Sequence, residues 1–217
     1  MMTPGASRLT ITSTVDGTKQ PYCLFVPTAV DSAATLPLMV VLHGRGVTHH
    51  AWFELTPVKE IAEQYGYVVA APNGRGENYY EGPGEQDVLD IISEVRTMLP
   101  IDADRIFLAG HSMGGWGAWH IGLRNAELFG SISPLAAVLP PIDGPMWERA
   151  RSLDPFIIHD TGDDIVPVDA SRTAVRELTD RGISFRYREE TGYAHSSRMI
   201  GDNLPRIFEW FNGHRRA

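Results

Sequence analysis

One cysteine, Cys23, stands in a chain of 217 residues. A single thiol excludes an intrachain disulfide and any cluster built from several thiolates. Amid apolar neighbours, Cys23 reads as a small buried hydrophobe in a strand. Long apolar runs are also lacking, since none nears the roughly 20 residues that a membrane-spanning helix needs. Met1 to Ser7 shows no basic start followed by an apolar stretch, so no signal peptide is predicted and a soluble cytoplasmic protein is the expectation. Positive charge is scarce too. Nineteen Lys and Arg against 27 Asp and Glu give a formal net charge of −8, which leaves no electrostatic footprint for nucleic acid and little attraction to an anionic membrane. No internal repeat, low-complexity tract or linker interrupts the chain, so residues 1–217 are predicted to form a single domain.

What is present is a regular change of hydrophobic period. Leu9, Ile11 and Ser13 alternate with Thr10 and Thr12, as in a half-buried strand. Asp16-Gly17 is a hairpin signal, and Tyr22 to Val26 reads as the returning strand, ended by Pro27. Four short continuous apolar runs follow, at Leu38–Leu42, Val68–Ala71, Ile106–Ala109 and Phe156–Ile158. Runs of this length suit central parallel strands covered on both faces. Between them lie helical spacings: Val58, Ile61 and Ala62; Val88, Ile91, Ile92, Val95 and Leu99; Ala174, Val175 and Leu178, closed by Gly182; and Leu204, Ile207, Phe208 and Phe211. Strands alternating with helices predict an α/β fold, with a mostly parallel sheet, an antiparallel N-terminal hairpin at its edge and helices on both faces.

The sharpest local pattern is Gly110-His111-Ser112-Met113-Gly114, followed by Gly115. A buried strand runs into it and a helical segment, Gly114 to Leu123, runs out. A serine on so tight a strand-to-helix turn needs neighbours almost without side chains, and Gly110 and Gly114 meet that need. The helix start then aims backbone N–H groups at any negative charge developing beside Ser112, with the N–H of Met113 the first of them.

With this elbow, the segments Tyr22–Pro27, Leu42-His43-Gly44-Arg45-Gly46 and Asp102–Gly115 resemble those of the α/β-hydrolase superfamily from about Pro21 to Phe211. Within it, the chain is similar to small bacterial esterases related to feruloyl esterases and polyhydroxyalkanoate depolymerases, and to the catalytic domain of prolyl-oligopeptidase-type enzymes. The resemblance implies an α/β-hydrolase fold and a carboxylic-ester hydrolase with Ser112 as nucleophile. It implies a second oxyanion donor at the backbone N–H of Arg45. It also implies a triad in the chain order serine, acid, histidine. The acid turn has an Asp three residues before a Val-Pro pair, which selects Asp163 over its neighbour Asp164. Gly192-Tyr193-Ala194-His195-Ser196 lies where the family keeps its histidine, so His195 is the expected base. His159-Asp160 departs from the family's His-Gly, and Asp160 is expected to be structural.

The expected substrate is a small-molecule ester, with no cofactor and no metal. Larger relatives insert a helical lid after the sixth strand, whereas Ala136–Ser152 leaves room for a minimal lid or none. His111, Trp116, Trp147 and Tyr79 are candidate substrate-binding residues, with Tyr80 a further aromatic wall, although Trp116 and Trp119 also fit the core of a helix. Arg45 reads as a surface arginine over its loop. Asn73-Gly-Arg75-Gly76 reads as a turn. His49 and His50, being adjacent, are read as loop residues poorly placed to share one metal. A peptidase, an acyltransferase and a non-catalytic binding protein are the alternative readings. A complete triad argues against the binding protein, and the lack of room for a propeller argues against the peptidase.

Overall fold

The computed structural model describes residues 3–28 and 34–216. Strands β1 (Gly5–Thr12) and β2 (Lys19–Val26) pair antiparallel with Leu9 opposite Tyr22. Gly17, at φ +72°, turns the chain between them. Strands β3 (Leu36–Leu42), β4 (Val68–Pro72), β5 (Ile101–His111), β6 (Ser131–Leu135), β7 (Phe156–Asp160) and β8 (Arg186–Glu190) follow. They form one eight-stranded sheet in the order β1-β2-β4-β3-β5-β6-β7-β8. From β4 to β8 all neighbours are parallel, while β2 meets β4 antiparallel. The hairpin therefore sits at the edge, as its polar alternation predicts. Strand β5 begins five residues before its apolar run because Ile101–Arg105 is only half-buried.

The helices are α1 (Ala51–Leu55), α2 (Val58–Tyr65), α3 (Pro83–Met98), α4 (Met113–Arg124), α5 (Gly144–Ala150), α6 (Asp169–Asp180) and α7 (Ser197–Asn212). The two-residue period of the strands sorts their side chains into two cores. Leu38, Val40, Leu42, Val68, Ala70, Ile106 and Leu108 pack with Val88, Trp119 and Leu178 of α3, α4 and α6. Met39, Val41, Val69, Ala71, Phe107 and Ala109 pack with Trp52, Ala62 and Phe208 of α1, α2 and α7. On the second face Phe107 stacks on Phe211 with centroids 4.6 Å apart, a pairing that adds about 0.5–1.5 kcal/mol beyond buried area. Among the described residues no helix is long and apolar enough to cross a membrane.

This topology decides where function can sit. Leu42 at the end of β3 lies beside Gly110 near the end of β5, so the His43–Gly46 loop and the serine elbow are neighbours. The loops after β7 and β8 reach the same edge, the carboxyl end of the parallel strands, where open α/β sheets hold their sites.

Candidate active site

Ser112 sits between β5 and α4 at φ +60° and ψ −121°, a conformation that costs a non-glycine residue about 1–3 kcal/mol and persists only where its surroundings enforce it. The enforcement is visible. A Cβ on Gly110 would run into the carbonyl of Gly114 and lie 2.9 Å from Gly115 N. One on Gly114 would collide with Leu42 O and come within 2.5 Å of Leu42 C and 2.8 Å of His43 O. The two glycines let the helix start approach β3 and β5 closely. The Ser112 N–H donates to Leu135 O at 2.9 Å, which fixes the turn to β6. Met113 opens α4, so its N–H lies in the first turn, where no intrahelical acceptor exists.

The His43–Gly46 loop is held from three sides. Tyr80 is fully buried, and its phenol oxygen accepts from the His43 N–H at 2.8 Å while its O–H reaches His43 O at 3.3 Å. His43 Nε2 donates to Asn73 O at 2.9 Å. Glu77 accepts from Arg45 Nε at 3.2 Å and from the Gly46 N–H at 3.1 Å. The Arg45 side chain is largely exposed and lies over its own loop. Asn73-Gly-Arg75-Gly76 is a turn, and Arg75 points away from the site to Asp87 at 2.6 Å and to Asp16 at 2.5 Å, tying the N-terminal hairpin to α3.

Asp163 and His195 face one another across two loops, with Nδ1 2.7 Å from Oδ2. Asp163 is buried and also accepts from the N–H groups of Ile165 at 3.0 Å and Val166 at 2.8 Å, whereas Asp164 is exposed. Burial alone would raise the Asp163 carboxyl, but the bonds from His195, Val166 and Ile165 outweigh it and hold the group below its ordinary value. His159, buried behind it, accepts from Ser171 Oγ at 2.7 Å and donates to Val166 O at 2.8 Å, with Nε2 3.4 Å from Asp163 Oδ2. Asp160 has the structural place expected of it. Its carboxylate takes the N–H of Gly162 at 2.8 Å and of Tyr193 at 2.9 Å, joining the acid loop to the histidine loop.

Ser112, His195, His111, Gly44 and Arg45 line one open cleft of about 510 Å³. Its apolar walls come from Val47, Trp52, Leu55, Ile165 and Ile200, on α1, α7 and two loops. Trp52 also donates its indole N–H to Leu42 O at 3.0 Å, bracing the end of β3. None of these five is singled out by sequence. A helix of five residues is too short to show a period, and loop residues have none. No residue of 136–152 lines the cleft, and α5, the only helix there among the described residues, is a minimal lid at most.

Three of the aromatic candidates are corrected by this geometry. Trp116, Trp147 and Tyr79 do not line the cleft. Trp116 is directed along α4 to stack on His120 at 4.7 Å, with Tyr79 edge-on to it at 5.7 Å. Trp147 lies under the Arg181 guanidinium at 4.1 Å. Tyr80 is a brace rather than a wall. His49 and His50 are loop residues, as read. The turn they occupy brings their rings to a centroid separation of 3.9 Å, on the same side of the chain as Cys23.

His111 does line the cleft, its ring 4.6 Å from that of His195. Burial, reinforced by His195, pushes its pKa down to about 3, so it packs on His195 as a neutral ring. Stability must follow pH accordingly. Below pH 6.5 the unfolded chain binds a proton at this histidine that the folded chain refuses until about pH 3, so stability is full above 6.5 and falls as pH drops through that window. His111 alone is expected to cost about 2 kcal/mol between pH 6.5 and 5, at about 1.4 kcal/mol per unit. His159, which burial also holds low, acts in the same direction, so the difference between wild type and His111→Phe isolates His111. Urea unfolding at both pH values should show the variant losing less stability on acidification. Equal losses would mean that the His111 ring is protonated in the fold.

The sequence profile of the Esterase family matches residues 16–184. The bifunctional acetylxylan esterase/xylanase XynS20E of Neocallimastix patriciarum is 28% identical over 138 residues, covering 62% of this chain and 20% of that protein. The S-formylglutathione hydrolase of Rattus norvegicus is 24% identical over 160 residues, covering 61% of this chain and 56% of that one. The chain thus spans between a fifth and just over half of these relatives. Among solved structures, the fluorophosphonate-binding serine hydrolase FphF of Staphylococcus aureus matches with a TM-score of 0.84 at 18% identity, over 96% of this chain and 99% of that one. A likeness at that identity establishes the α/β-hydrolase fold.

Proposed function

The chain belongs to the Esterase family, whose profile covers residues 16–184, and from that premise we propose that it hydrolyses carboxylic esters through an acyl-enzyme on Ser112. One observation carries the reading. The strained serine shares a cleft with His195, and that histidine is oriented by a buried carboxylate at 2.7 Å.

In this mechanism Ser112 Oγ attacks the acyl carbon and gives its proton to His195 Nε2. Asp163 holds the Nδ1–H tautomer and supports the imidazolium that forms. The carbonyl oxygen becomes an oxyanion and accepts from the backbone N–H groups of Arg45 and Met113, each such donor contributing about 10²–10³ in rate. His195 returns the proton to the leaving alcohol, then deprotonates a water that attacks the acyl carbon. As the acyl–oxygen bond to Ser112 breaks, His195 gives that proton to Ser112 Oγ and the carboxylic acid leaves. The open cleft and its apolar walls suit an accessible small ester.

The test is covalent labelling with a fluorophosphonate and hydrolysis of p-nitrophenyl esters from acetate to decanoate. The probe is expected to modify Ser112, located by peptide mass spectrometry, and to abolish hydrolysis in proportion to labelling. A protein that is silent on every ester and unlabelled at Ser112 would sink the proposal.

A further inference from the structure

A second set of reactive side chains lies outside the cleft. Cys23 on β2 and the consecutive His49 and His50 bring one potential ligand atom each to within 4.8 Å of one another. Cys23 is buried, and its Sγ is 3.2 Å from His50 Nδ1. His49 Nδ1 is 3.1 Å from Asn73 Oδ1. A carboxamide oxygen can only accept, so Nδ1 carries the proton and Nε2 keeps the lone pair. That is the outer-shell arrangement which orients a ligating histidine. Cys23 and His50 also line a pocket of about 170 Å³ with Arg8, Glu54 and Lys59, which gives the sulfur a path to solvent.

We propose that Cys23, His49 and His50 form a binding site for a thiophilic divalent cation of the zinc class. One thiolate and two imidazoles are a borderline-soft donor set, which suits zinc and cobalt and disfavours magnesium and calcium. Three protein ligands leave the fourth tetrahedral position to water. On binding, the Cys23 S–H proton leaves to solvent and a metal–sulfur bond forms, while both imidazoles bind as neutral donors. The site joins β2 to the turn that leads from the His43–Gly46 loop into α1. Its occupation therefore ties down the segment that carries Arg45 at one end and the cleft residues Trp52 and Leu55 at the other.

Cobalt tests this directly, because Cys23 is the only cysteine in the chain. Any sulfur-to-cobalt charge-transfer band can come from no other residue. Titration of tag-free, metal-stripped protein with Co²⁺ at neutral pH is expected to raise that band to saturation at one equivalent, and Zn²⁺ to abolish it. Cys23→Ser should lack the band, and His49→Gln and His50→Gln should each weaken cobalt binding by about tenfold or more. Absence of the band in folded wild-type protein overturns the proposal. So does a band that keeps its strength and midpoint in both histidine variants. The readout does not depend on ester hydrolysis, so its failure leaves the reading of Ser112 untouched.

Discussion

Asp163→Asn is expected to lower kcat for p-nitrophenyl acetate by about 10⁴-fold, while Asp164→Asn changes it less than about twofold. The two aspartates are adjacent, yet their surroundings differ in kind. Asp163 accepts three hydrogen bonds, from His195, Ile165 and Val166, and Asp164 lies exposed. In the asparagine variant the two backbone N–H groups keep the amide oxygen, which turns the NH₂ towards His195. Nδ1 must then accept instead of donate, so the neutral ring carries its proton on Nε2 and cannot take one from Ser112. The fold should survive, because shape and backbone bonds are retained. Ser112→Ala gives the upper limit of the loss, about 10⁶-fold where serine, base and acid act as a unit. Unchanged kcat in Asp163→Asn, or an equal loss in Asp164→Asn, would place the orienting acid elsewhere.

The sequence points to the polar candidates of this cleft, Ser112 and His195, more readily than to its walls, and the reason is physical. Ser112 stands on a turn so tight that Gly110 and Gly114 mark its place. Asp163 and His195 are legible only through the family resemblance, by the Val166-Pro167 pair after the one and by the position of the other in the loop before the last helix. The strands are legible as the Ser112 turn is, because a buried parallel strand must be apolar on both faces. The cleft walls obey no such local rule. Val47, Leu55 and Ile165 are exposed apolar residues of the kind any surface carries. Only the register of β3 beside β5, and the packing of α1 and α7, gathers them around Ser112. The aromatic candidates mislead by the same gap. Trp116 is one turn from Ser112 in sequence, but the rotation of α4 directs its ring to His120. His49 and His50 show the converse, since a turn folds two adjacent side chains onto one side.

The glycine at the start of α4 sets two physical rules against each other, and their magnitudes decide the outcome. By helix propensity alone, Gly114→Ala should stabilise α4 by about 1 kcal/mol. By packing it should be ruinous, because the added methyl meets the Leu42 and His43 backbones, with Leu42 C at 2.5 Å. Backbone at the junction of β3 and the helix cannot rotate aside as a side chain can. Either the helix start or the His43–Gly46 loop must shift by most of a bond length. A loss of more than about 4 kcal/mol is expected, with Ser112 and the Arg45 N–H moved apart in whatever still folds. Gly144→Ala is the control. It lies at the start of α5 with nothing within 4 Å of the new methyl, and it should change stability by no more than about 0.5 kcal/mol. Urea midpoints and circular dichroism of the two variants make the comparison. If Gly114→Ala folds with wild-type stability, α4 does not approach β3 this closely, and the placement of Ser112 against the His43–Gly46 loop fails with it. If it unfolds while Gly144→Ala is unaffected, the close approach that the elbow requires is what the glycine supplies.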